Sequence, residues 1–137
     1  MIQPAAYHVV DTSGWLEYLA DTANASQFAT AIQDGDHLVV PTIVLVEVFR
    51  WVLRERGEAD ALQAMAALRQ GRIVDLDQVI ALEAGRCGIA YKLPLADSII
   101  YATAQLHGAV LLTQDAHFDG LPHVRDHPKH PPGNTGS

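Results

Sequence analysis

The stretch LPLADSIIYATAQLHGAVLLTQDAHF, residues 93–118, holds one full step of the fold. After the loop KLPLAD, the segment DSIIYATAQLHG reads as a helix, with Asp97 in its first turn and Gly108 at its end. AVLLT (109–113) follows as a short apolar run, the pattern of a strand buried on both faces. The same alternation recurs upstream. YHVV (7–10), HLVV (37–40) and RIVDL (72–76) read as strands. Between them lie helical patterns from about Trp15, through SQFATAIQDG to Gly35, from Thr42 to Arg56, and over EADALQAMAALRQG to Gly71. A further one covers DQVIALEAGRCGIAY. Thr42 and Asp77 are the expected N-caps. Repeated strand–helix steps imply an α/β domain: a central parallel sheet with helices on both faces.

The chain has 137 residues, which is one domain's worth and enough to bury a core. At 49% hydrophobic and 18% charged residues the composition is that of an ordinary globular chain. No apolar run approaches the ~20 residues of a membrane span, and MIQPAAYHVVD lacks the basic and apolar regions of a signal peptide. Cys87 is the only cysteine, so it has no intrachain partner and reads as a core residue. A cytoplasmic location is expected. The last residues, HPKHPPGNTGS, are rich in Pro and Gly, so 126–137 is expected to be a disordered tail after a domain at 1–125. That setting makes His123, His127 and His130 tail residues rather than a metal site.

Three carboxylates take related places. Asp11 ends the first strand, Asp97 opens a helix, and Asp115 comes two residues after a strand. Ligands of open α/β sheets bind outside the carboxyl ends of the strands, where the strand order reverses, so these acids can converge. Glu47 is the odd one, a lone acid inside TIVLVEVFRWVL. Moving a charge out of water costs several kcal/mol, and something must offset it. A divalent cation would hold several clustered carboxylates ionised, and all-oxygen ligation suits Mg²⁺ or Mn²⁺. Plainer readings exist for each. Asp11 can cap a helix, Asp97 can favour a helix N-terminus, Asp115 can sit in a turn, and Glu47 can pair with Arg50 or Arg54. The net charge of −7 gives no support to a nucleic-acid partner, but does not exclude one if some acids bind a metal.

VVDTSGWLEYL, PTIVLVEVFRWVLR and the stretch at 93–118 together resemble the three sequence blocks of PIN-domain ribonucleases, and more closely the VapC toxins of type II toxin–antitoxin pairs. The resemblance runs from about Val9 to Phe118. It implies a PIN-like three-layer α/β/α fold and a Mg²⁺- or Mn²⁺-dependent endoribonuclease that cuts RNA by metal-activated water. Its four acids fall on Asp11, Glu47, Asp97 and Asp115, with Asp11 and Asp97 as metal ligands and Glu47 and Asp115 acting directly or through water. Ser13 and Thr113 match the supporting hydroxyls. Asp119 is an auxiliary acid or, more plainly, a turn residue before Gly120.

The resemblance also implies a VapB-like antitoxin partner, a homodimer and no membrane. Arg50, Arg54 and Lys92 can meet RNA phosphates, or Arg50 and Arg54 can equally form a solvated helix edge with local pairing. His117, beside Asp115, either touches substrate or, more plainly, is an exposed loop residue. Trp15, Leu16, Tyr18 and Leu19 either line an antitoxin groove or pack in the core. The competing functions are an RNA-processing nuclease without a toxin role and a non-catalytic interaction domain. A phosphatase-like domain with Asp11 as nucleophile would want a second Asp at position 13, where the chain has Ser.

Overall fold

A computed structural model describes residues 6–127. Five strands form one sheet: β1 (Tyr7–Val10), β2 (Leu38–Pro41), β3 (Arg72–Val74), β4 (Ala109–Thr113) and β5 (Val124–Asp126). All pairings are parallel, in the order β3-β2-β1-β4-β5. From β1 the chain steps outward to β2 and β3, then crosses back to β4 and β5 on the other side. The reversal lies between β1 and β4, where Val9 pairs with Leu111 and Val10 with Leu112.

Six helices cover the sheet: α1 (Thr12–Leu19), α2 (Ser26–Gln33), α3 (Thr42–Arg56), α4 (Glu58–Leu68), α5 (Gln78–Tyr91) and α6 (Leu95–Leu106). Right-handed crossovers put α1–α4 on one face and, because the direction reverses, α5 and α6 on the other. This is the expected three-layer α/β/α arrangement. The main core includes Val9, Val10, Val40, Leu111 and Leu112 from the strands, with Trp15, Phe28, Val44, Val48 and Leu68 from the helices. A smaller cluster, Ile80, Ala84, Ile99 and Ala102, joins α5 to α6, and Ile43 of α3 packs against both. Ile43 therefore ties the two helical layers together next to the ends of β1 and β2.

α6 is buried from Ser98 to Ala104 without a break. Its hydroxyls bond within the helix: Ser98 Oγ donates to the Leu95 carbonyl at 2.6 Å and Thr103 Oγ1 to that of Ile99 at 2.8 Å. This makes α6 a fixed platform, with Asp97 in its first turn.

Several local details differ from the sequence reading. α1 starts at Thr12, since Asp11 is itself the cap and accepts from the Gly14 amide. Thr42 is the first residue of α3, not its cap, and its hydroxyl accepts from the Leu76 amide. Asp77 does cap α5, accepting from Ile80 N at 2.9 Å. β2 begins one residue late, behind a 3-10 turn at Gly35–His37, and β3 stops at Val74. Trp15 is fully buried, which makes it core. β5 was not expected, and its last residue, Asp126, had been placed in the tail. His127 is no tail residue either: its amide donates to the Thr113 carbonyl at 2.7 Å and its ring meets the edge of Phe28. His130 and the rest of the expected tail lie outside the described residues.

Gly14 sits where α1 closes on the sheet. A Cβ there would lie 2.7 Å from Val10 Cγ1 and 2.8 Å from the Phe28 ring. Gly14→Ala is therefore expected to destabilise the fold by about 1–3 kcal/mol, as core overpacking does. A thermal melt would show this as a drop of several degrees; an unchanged Tm would mean that Phe28 moves aside freely.

Candidate metal centre

Asp11 leaves the end of β1 at the strand reversal, and it is buried. Its Oδ1 accepts from Ser13 Oγ at 2.8 Å and Gly14 N at 3.0 Å, and its Oδ2 from Thr113 Oγ1 at 2.7 Å. These three donors favour the carboxylate, yet burial outweighs them. The Asp11 carboxyl is pushed up to about 6, with a small contribution from the charge of Asp115. Thr113 also accepts from the Asp115 amide at 2.8 Å, so one hydroxyl ties the first acid to the backbone of the fourth. Ser13 and Thr113, the two supporting hydroxyls that the resemblance implies, both donate to Asp11.

Glu47 is half-buried on α3, and its Oε1 accepts from Thr12 Oγ1 at 2.5 Å. This hydroxyl, 35 residues away, is its partner. Neither arginine pairs with it among the described residues: Arg54 pairs with Glu55 at 3.1 Å, and Arg50 is exposed. The ion-pair reading of Glu47 therefore fails. α3 and α6 touch, and the Glu47 charge is close enough to raise the Asp97 pKa.

Asp97 is held above the ordinary carboxylate range first by burial, then by the Asp115 charge, and last by Glu47; His117 opposes this. Asp115 caps a 3-10 turn at Ala116–Phe118, its Oδ1 accepting from the His117 amide at 2.9 Å. That turn swings the His117 ring back over the acids. Nδ1 of His117 lies 2.8 Å from Asp97 Oδ2 and 3.1 Å from Asp115 Oδ1. The bond to Asp97, and then the Asp115 charge, raise the imidazole pKa. Sequence reasoning missed this placement. Its signal is the spacing of two residues after Asp115, which allows a tight turn to fold back.

Charge links the four acids in sequence: Asp115 raises both Asp11 and Asp97, and Glu47 raises Asp97. Asp119 stands apart, exposed in the turn before Gly120 (φ 77°). Lys92 is an exposed, left-handed residue at the end of α5, and with Arg50 it enters no ion pair among the described residues. The basic residues thus remain outside the cluster's hydrogen bonds.

Like charges that raise one another, with one imidazole among them, form a donor set suited to a divalent cation. One ligand atom each from Asp97, Asp115 and His117 lies within 4.8 Å of the others. The PIN domain family matches residues 8–124. The chain belongs to that family. No curated protein matches this PIN domain in sequence.

Among solved structures, it is similar to a toxin–antitoxin complex from Klebsiella pneumoniae. The two share 28% identity at a TM-score of 0.75, over 88% of this chain and 96% of that one. It also resembles VapC20 of Mycobacterium tuberculosis, described as a sarcin–ricin-loop-cleaving toxin, at 20% identity and TM-score 0.70 over 88% and 99% of the chains. DNA-bound VapBC from Salmonella typhimurium matches at 17% identity and TM-score 0.68, over 90% and 98%. The last two show likeness of fold alone. No helix among the described residues is long and apolar enough to cross a membrane.

Proposed function

We propose that this PIN domain is a Mg²⁺- or Mn²⁺-dependent endoribonuclease of VapC type, the cytoplasmic toxin of a toxin–antitoxin pair. The observation that supports the reading is the convergence of Asp97 and Asp115 with His117 within 4.8 Å, with the Asp115 charge felt at Asp11 and the Glu47 charge at Asp97. Asp11 and Asp97 would hold the ion, with Glu47 and Asp115 acting directly or through water. When bound, such an ion supplies an acidified water for attack on phosphorus and neutralises phosphate charge. The protein's own part is to keep the carboxylates in place. Ser13, Gly14 and Thr113 fix both oxygens of Asp11, Thr12 fixes Glu47, and the His117 amide fixes Asp115. Preset acids of this kind need no rearrangement during reaction. Arg50, Arg54 and Lys92, all exposed, are assigned to the RNA backbone.

The test is cleavage of RNA by the purified protein. Activity with Mg²⁺ or Mn²⁺ that vanishes in EDTA is the expected result. Cleavage that persists without metal would overturn it. The toxin role draws on the likeness to the Klebsiella complex. Growth arrest on expression, relieved by a partner protein, separates it from RNA processing without toxicity.

Two apolar surfaces fit the partners. A cleft between α1, α3 and α4 is lined by Leu16, Leu19, Trp51 and Val52, with Arg56 and Asp60 also on its walls, and suits an antitoxin segment. The outer side of α5 exposes Val79, Leu82 and Ile89, beside Leu95. A helix apolar on both sides calls for cover on both. Gly85, near its middle, has open space beside it, and Glu83 and Arg86 flank it. A two-fold dimer would set this face against its own copy, with the Glu83–Arg86 pair of each chain beside that of the other. Ile89→Glu is therefore expected to shift the protein from dimer to monomer in light scattering. A dimer that survives would place the interface elsewhere.

A further inference from the structure

We propose that His117 is a nitrogen ligand of the metal, and that it makes this centre favour Mn²⁺ over Mg²⁺. The inference rests on the reading of the acids as a metal centre and concerns a residue outside the four. Among the described residues, Asp97, Asp115 and His117 are the only three such side chains whose donor atoms converge within 4.8 Å. The Nδ1 separations of 2.8 and 3.1 Å from the two carboxylates are those of neighbouring ligands. Two donors at right angles, each about 2.1 Å from an octahedral ion, lie about 3 Å apart. Without an ion, Nδ1 approaches the carboxylates through a hydrogen bond that its own N–H donates. A metal ion in that proton's place would meet all three donors.

The ring is held in position from both sides. Before it, Asp115 caps the turn through the His117 amide. After it, Phe118 is fully buried and stacks on Tyr101, with ring centroids 6.4 Å apart. The imidazole is therefore carried on an anchored turn, while its exposed edge leaves room for water and substrate. Selectivity follows from ligand type. Mg²⁺ prefers oxygen donors and keeps its waters, whereas imidazole suits transition metals. An ion that accepts the nitrogen gains a contact that Mg²⁺ uses poorly.

The experiment is pulsed electron paramagnetic resonance on the whole protein loaded with Mn²⁺, together with calorimetric titration of Mn²⁺ and Mg²⁺. Nitrogen modulation is expected in the wild type and should be absent in His117→Ala. Mn²⁺ should bind that variant at least about tenfold more weakly, the loss seen even for residues that only orient a ligand. Mg²⁺ affinity should change far less, and His117→Gln, an oxygen donor, should also lack the Mn²⁺ preference. His117 is exposed, so both metal-free variants should fold, and above the pH at which the imidazole loses its proton they should melt like the wild type. Bound Mn²⁺ without nitrogen modulation, or Mn²⁺ binding to His117→Ala that is equal or tighter, would overturn the proposal and leave the acidic centre standing. Failure of the wild type to bind Mn²⁺ would overturn both.

Discussion

Asp97→Asn is expected to abolish RNA cleavage while making the metal-free protein more stable. The two effects have one cause. Asp97 is held above its ordinary pKa by burial and by Asp115 and Glu47, so its ionised form is a net cost to the fold. The folded state binds this proton more tightly than the unfolded chain does. Stability from this group is thus highest at low pH and falls as pH rises through the raised value. At neutral pH the cost is present, and Asn removes it with almost no change of shape. The Asn carbonyl can still accept from His117, so the turn should stay in place. The metal-free Tm should rise by a few degrees near pH 7.5 and match the wild type once Asp97 is protonated in both states. Cleavage should fall at least about 10³-fold, since water activation and phosphate neutralisation are each worth several kcal/mol. Mn²⁺ should raise the Tm of the wild type by mass action and leave the variant nearly unchanged. A variant that cleaves normally, or one whose metal-free form is less stable, would remove Asp97 from the centre.

The parts of this molecule legible in its sequence are those fixed by local pattern. β1 and β4 are runs of apolar residues closed by a polar one, and their bounds were readable to the residue. Asp77 lies before a helical run and caps it. The acids at strand ends could be grouped because a parallel sheet sends every such end to the same edge. The features that stayed hidden depend on distant partners. β5 is three residues long and only Val124 in it is apolar, so it shows no periodicity. It is a strand because Arg125 pairs alongside Leu112. Thr12, Ser13 and Gly14 are weak helix formers, yet α1 begins there because Asp11 caps it and Trp15 is drawn into the core. Apart from a metal ion, the sequence offers Glu47 only arginines of its own helix as partners, within reach by spacing. The structure supplies Thr12 instead, through packing of α1 on α3. His117 looked like a loop residue for the same reason, since a turn that folds back on its cap leaves no trace in hydropathy.

Metal binding at this centre is expected to be strong above about pH 7 and to fall away toward pH 5, following the buried Asp11. Burial lifts Asp11 from 3.8 to about 6, so near neutral pH its ionised form costs the metal-free fold on the order of 3 kcal/mol. The sign is the reverse of a salt-bridged acid. As pH falls through about 6, the folded protein takes up the proton before the unfolded chain does, and this group's contribution to stability rises. An ion held by Asp11, as proposed, would compete with that proton, and below about 6 its affinity should drop about tenfold per pH unit for each proton displaced. His117 acts in the same direction. Its pKa is raised by Asp97 and Asp115, so its proton stabilises the metal-free fold at low pH, and that stability is lost as pH rises through the raised value. With the proton of Asp97, whose pKa is also raised, the protons of Asp11 and His117 would oppose an ion held by all three, and the fall in affinity should be steeper than tenfold per unit where more than one titrates. Melts with and without Mn²⁺ between about pH 5 and pH 8 would read this directly, as a metal-induced rise in Tm that grows with pH. Thr113→Val, which takes the hydroxyl from Asp11 Oδ2, should shift the same curve to higher pH, because removing a donor to the carboxylate raises its pKa further. A rise in Tm with Mn²⁺ that is the same at every pH would mean that the ion does not touch Asp11.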